Sequence, residues 1–158
     1  MTSRVVFDCM VFLQGAGRPA SPARACFRLV DEEQITLCLS REIVAEVRDV
    51  LTRSKVRHRF PLLTQAWVDE FLVTIESKSV FVPEVPHVFT LVRDPKDEPY
   101  VNLAVASQAQ FLVSRDRDLL DLMNEPAFRR RFPNLQIVDP VAFLQAIARS
   151  TPTHPGPE

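Results

Sequence analysis

The chain has 158 residues, 46% apolar and 25% charged. That fits one domain with its own core, and a formal net charge of −1 gives no global basic field to draw nucleic acid, although a local basic patch can coexist with an acidic site. Three glycines with no G-x-G-x-x-G or G-x-x-x-x-G-K-[ST] argue against a Gly-rich phosphate cradle, and three cysteines with no C-x-x-C pair support neither a zinc site nor a disulfide framework.

Arg4 to Phe7 is a nearly continuous apolar run, as expected of a buried central strand. Ser21 to Glu32 reads as a helix with Ser21 as N-cap and Pro22 at its first position. A strand follows over Ile35 to Leu39, and Ser40 then caps a helix running to about Arg53. Thr64 to Ser77 is helical, with Trp67, Phe71, Leu72 and Ile75 at helical spacing. Val80 to Val82 is a short strand, Asp97 to Ser107 a helix, Phe111 to Val113 a strand and Asp116 to Met123 a helix. Leu135 to Val138 is the last strand, and Asp139-Pro140 opens a final helix to about Arg149. Residues 1–149 are thus expected to form the domain, and 150–158, with three prolines and little to bury, a disordered tail. Strands alternating with helices imply a parallel α/β sheet covered on both faces, with ligands bound beyond the carboxyl ends of its strands.

The apolar run before Asp8 is too short for a signal peptide, and no stretch approaches the roughly 20 apolar residues of a membrane helix. We expect a cytoplasmic protein with reduced thiols and no membrane partner.

Four acids stand out: Asp8, Glu46, Asp97 and Asp116. Each lies beside apolar residues, where a lone carboxylate is costly to desolvate. Brought together, they would repel one another unless a cation joined them. Each also has a plain alternative. Asp8 could cap a turn, and Glu46 could pair with Arg48 or Arg53 at the edge of a buried helix face. Asp97 could answer Asp94 and Pro95 in a capping box. Either Asp116 or Asp118 could cap the helix that follows.

Taken in order, these segments resemble the PIN-domain ribonucleases, in particular the bacterial branch of toxin components in toxin–antitoxin pairs. Arg4-Val5-Val6-Phe7-Asp8 is similar to the family's opening strand and first acid. Ser40 to Arg53 resembles its second motif, with the acid at Glu46. Arg93-Asp94-Pro95-Lys96-Asp97 followed by Leu103-Ala104 resembles the third, and Phe111 to Leu120 the fourth, with Asp116 and Asp118. The resemblance implies a PIN-like three-layer α/β/α sandwich with a mainly parallel sheet. It also implies metal-dependent hydrolysis of RNA, a cognate antitoxin and a homodimer.

On this reading Asp8, Asp97 and Asp116 bind Mg²⁺ or Mn²⁺, ions that suit oxygen ligands. Glu46 orients a water or assists its deprotonation, and Asp94 and Asp118 support the ligands from behind. Lys96, Arg115, Arg117 and Arg53 are candidates to hold the RNA backbone; Lys55, Arg57 and Arg59 form a further basic strip, and Arg129-Arg130-Arg131 could touch RNA or a partner. One departure matters. The family usually reads Asp-Thr-Asn after the first strand, whereas this chain reads Asp8-Cys9-Met10. Met cannot make the bonds of an Asn amide, so a catalytically weakened module that binds RNA or a protein is the alternative. A haloacid-dehalogenase-like phosphatase needs a second Asp where Met10 stands. A phosphoacceptor receiver domain needs paired acids at the first strand end, which this chain lacks.

Overall fold

A computed structural model describes residues 2–150. Five strands form one sheet in the order β3-β2-β1-β4-β5: β1 (Ser3–Phe7), β2 (Ile35–Leu39), β3 (Val80–Phe81), β4 (Phe111–Val113) and β5 (Gln136–Val138). Every pairing is parallel, with Val5 opposite both Leu37 and Phe111. Around the sheet stand α1 (Cys9–Gly17), α2 (Pro22–Asp31), α3 (Arg41–Leu51), α4 (Ser54–Arg59), α5 (Gln65–Ser77), α6 (Glu98–Ala106), α7 (Arg117–Leu120), α8 (Pro126–Arg131) and α9 (Pro140–Ser150).

Strand alternation assigns the two faces of the sheet. Phe7 meets the rings of Phe12, Phe27 and Phe143, so α1, α2 and α9 cover its side. Arg4, on the other side, donates to Ser107 O at the end of α6, and α6 also contacts β1, β2 and β4. The result is the expected α/β/α sandwich. The buried residues form one core cluster, with Val5, Val6, Leu37, Val101 and Leu112 fully enclosed.

The sheet order has a consequence for function. The chain steps outward from β1 through β2 to β3, then crosses back to build β4 and β5 on the other side of β1. The connections therefore diverge between β1 and β4. At such a switch point the carboxyl ends of neighbouring strands leave a crevice, where α/β sheets bind ligands.

The expected helices are present with small changes of boundary, and Ser21, Ser40 and Thr64 cap theirs. Three helices were not expected: α1, α4 and α8. The stretch forming α1 is apolar almost throughout and carries Gly15 and Gly17, so it has no polar face to mark a 3.6-residue period. The segments α4 and α8 span only six residues each. The expected helix from Asp97 opens instead with a 3₁₀ turn, Pro95–Asp97, and α6 begins at Glu98. The helix expected over Asp116 to Met123 splits into α7 and a 3₁₀ turn, Asp121–Asn124. Ser150 closes α9; the rest of the expected tail, 151–158, lies outside the described residues. Among the described residues, no helix is long and apolar enough to cross a membrane.

Gly15 allows α1 to approach α2: a Cβ there would overlap the Phe27 ring, which Phe7, Phe12 and Phe71 hold edge-on. Exchanging a helical Gly for Ala normally gains about 1 kcal/mol, but overpacking a core costs about 1–3 kcal/mol. With Phe27 hemmed in, the second effect wins. Gly15→Ala is expected to lower the unfolding free energy by up to about 2 kcal/mol in urea titration; an unchanged or raised midpoint would mean that the ring moves aside.

Candidate metal centre

The acids meet at the switch point. Asp8 directly follows β1, and Asp116 lies three residues beyond β4. Asp97 ends the 3₁₀ turn that leads into α6, and Asp94 caps that turn by accepting from Lys96 N at 3.3 Å. One carboxylate oxygen from each of Asp94, Asp97 and Asp116 lies within 4.8 Å of the others.

Asp8 does cap α1: its Oδ1 accepts from Val11 N at 3.0 Å, and its Oδ2 accepts from the hydroxyl of Ser114. Asp116 caps α7 through Asp118 N at 2.8 Å. Asp97 caps nothing, and its Oδ2 is buried without a hydrogen-bond partner. Glu46 pairs with neither expected arginine, because Arg48 bridges to Asp69 and Arg53 to Asp49.

A buried, unbonded carboxylate oxygen beside two other carboxylates is an electrostatic liability. Burial first, and then the charges of Asp116, Asp94 and Asp8, push the Asp97 carboxyl up to about 8. Asp8, almost wholly buried, is pushed up to about 6, again mainly by burial, with the Ser114 and Val11 bonds working against the rise. A divalent cation would invert this balance, because its positive charge favours the ionised form of every carboxylate around it. Metal–oxygen distances from Mg²⁺ to Ca²⁺ run about 2.0–2.6 Å, so ligands on opposite sides of one ion lie about 4.0–5.2 Å apart. The three oxygens, none more than 4.8 Å from another, are close enough to share one such ion, and an all-oxygen set suits Mg²⁺ or Mn²⁺.

Asp8, expected among the ligands, stands just outside this trio, with both its oxygens bonded. Asp94, expected in support, stands within it. Glu46 is half-buried on α3. Its carboxyl is raised by burial, with Tyr100, Arg53 and Lys96 working against the rise. The Tyr100 hydroxyl is buried near Cys9, Glu46 and Asp8 yet makes no well-formed hydrogen bond. Burial pushes the neighbouring Cys9 thiol up to about 12, assisted by the charges of Glu46 and Asp8; it is an inert thiol. Met10 is 45% exposed. Lys96, Arg115, Arg117 and Arg53 are all exposed, and Arg115 reaches Gln14 Oε1 at 3.1 Å.

Ser114 is the residue that sequence reasoning passed over. It is fully buried, donates to Asp8 Oδ2 and accepts from Asp116 N at 2.9 Å, tying the first acid to the last. A small hydroxyl at the end of a buried strand, two residues before an acid, was the signal available.

A parallel sheet with carboxylates clustered at its switch point defines an α/β protein whose acids could hold a cation. A model of the PIN domain matches residues 4–118, most of the chain, and the chain belongs to the PIN-domain family. PIN domains are typically nucleases acting on RNA, and they generally use divalent metals. No curated protein and no solved structure gives a significant match.

The raised carboxyls make the metal-free protein sensitive to pH. Both groups titrate higher in the folded chain than their unfolded value near 4, so between those values the folded state binds more protons. Stability is then lost as pH rises, from about 4 to about 6 through Asp8 and on to about 8 through Asp97. In chelator, the melting temperature should fall between about pH 5 and pH 8. Asp97→Asn should flatten that fall and melt a few degrees higher than the parent at the alkaline end; a parent whose melting is flat across the range would contradict the buried-charge picture.

Proposed function

We propose that the chain is a divalent-metal-dependent endoribonuclease. The observation that carries this reading is the meeting of Asp94, Asp97 and Asp116, one carboxylate oxygen of each within 4.8 Å of the others, at the switch point of a PIN domain, with Asp97 Oδ2 buried and without a hydrogen-bond partner. Asp94, Asp97 and Asp116 hold the ion, with Asp8 adding negative charge beside it. A bound Mg²⁺ or Mn²⁺ lends positive charge to the scissile phosphate and makes a neighbouring water more acidic. Hydrolysis forms one P–O bond from water and breaks another, and the departing sugar oxygen takes up a proton.

Glu46, its carboxyl raised above the ordinary range by burial, orients the attacking water and accepts its proton. Lys96, Arg53, Arg115 and Arg117 bind backbone phosphates, which fixes the strand without reading its sequence. Asp118 steadies the start of α7, where its N–H bonds to Asp116. The resemblance to toxin components leads us to extend the proposal to a cytoplasmic homodimeric toxin restrained by an antitoxin; its expression alone should then arrest growth.

A second reading rests on Met10, whose exposed side chain supplies no amide beside the acids. On that reading the chain binds RNA or a protein partner with weakened catalysis. Cleavage of a labelled single-stranded RNA with Mn²⁺ separates the two. The nuclease predicts cleavage that chelator stops and that Asp97→Asn or Asp116→Asn lowers by roughly 100-fold or more, beyond the 10–100-fold typical of an outer-shell change. Cleavage unaffected by either substitution would remove the metal centre from the mechanism, and RNA bound but uncut would favour the module.

A further inference from the structure

Residues 82–94 link β3 to the 3₁₀ turn as a strap without regular structure. The strap ends on Asp94, so its path decides where one of the clustered carboxylates stands. Few main-chain bonds hold it, although Arg131 donates to Val88 O and Arg93 meets Glu125 at 3.6 Å. Between residues 83 and 93 its backbone N–H groups donate, among the described residues, only to two side chains of α6. Asn102 Oδ1 accepts from Val88 N at 3.0 Å and from Phe89 N at 2.9 Å. Glu98 Oε2 accepts from Leu91 N at 3.0 Å, and its Oε1 meets His87 Nε2 at 3.1 Å. Asp94 N then turns back to Leu91 O at 3.2 Å.

Asn102 is the unusual member of this set. It is 4% exposed in a run of buried residues, Tyr100, Val101, Leu103 and Ala104. A buried amide is costly unless its polar atoms are matched, and here one oxygen serves two backbone donors of a distant segment. Glu98 and Asn102 are four residues apart, on one face of α6. Asp97 immediately precedes that helix. A single rigid element therefore sets two of the three clustered acids: Asp97 through the chain itself, and Asp94 through the strap. The Phe89 ring, seated against Phe128 and Phe132, fixes the strap's outer side.

We propose that Asn102 is a positioning residue for the metal centre, pinning the strap so that Asp94 stands beside Asp97 and Asp116. This rests on the metal-binding reading above. Positioning groups behind a ligand typically contribute about 10–100-fold in metal affinity.

The test is Mn²⁺ titration of the full chain by calorimetry. Asn102→Leu keeps the approximate shape and loses the acceptor, and it should weaken binding about 10–100-fold. Asn102→Asp retains an oxygen for the two N–H groups and should restore affinity to near that of the parent, a rescue that a purely space-filling role would not give. A folded Asn102→Leu that binds Mn²⁺ like the parent would overturn the proposal while leaving the metal centre standing. A parent that binds no Mn²⁺ would overturn both. If Asn102→Leu fails to fold, hydrogen exchange on the parent decides. Coupling is reciprocal, so Mg²⁺ should slow exchange at the Val88 and Phe89 amides more than at those of α5; equal or no slowing would overturn the proposal.

Discussion

Asp97, a half-buried carboxylate whose Oδ2 is enclosed with no donor, is the constraint around which the rest of this structure is arranged. It lies within reach of Asp94 and Asp116 oxygens and feels the charge of Asp8. Without a cation, like charges at such spacing force protons onto the group, and its carboxyl rises accordingly. With a cation, the same spacing becomes a set of ligands. The unfavourable arrangement and the useful one are thus the same geometry, read in two ionic conditions.

The fold supplies that geometry by topology. Reversal of strand order between β1 and β4 brings Asp8 and Asp116, far apart in sequence, to neighbouring strand ends. Ser114 links them, donating to the Asp8 carboxylate and accepting from the Asp116 main-chain N–H. The third motif arrives from the opposite direction, on the turn before α6, and that helix lies across β1, β2 and β4. Its own polar side chains, Glu98 and Asn102, then collect the strap that carries Asp94. The core is ordinary in its chemistry, with edge-on aromatic contacts around Phe7 and Phe27; its role is to keep these strand ends and this helix in register.

Much of this was legible in the residues. Period and capping residues placed β2, α2, α3, α5 and the parallel architecture, because each carries a local signal such as Ser21-Pro22 or Ser40. The helix α1 was not legible, since Met10, Val11, Phe12 and Leu13 show no polar alternation and the adjacent Asp8 reads equally well as the cap of a turn. Asp97 was legible as an acid on an inward face, but the enclosure of its Oδ2 without a donor was not, because that depends on where Asp94 and Asp116 arrive in space. Asp94 read as a helix cap and does act as one; its presence in the cluster depends on a strap whose course no local pattern encodes. Asn102 left no sequence signal beyond a polar residue in an apolar run.

Anomalous scattering from a Mn²⁺-soaked crystal reaches the central claim most directly. The account predicts a peak at coordination distance, about 2.0–2.6 Å, from Asp97 Oδ2 and from an oxygen of both Asp94 and Asp116. A peak held by other side chains, or no peak with the three carboxylates splayed apart, would contradict it.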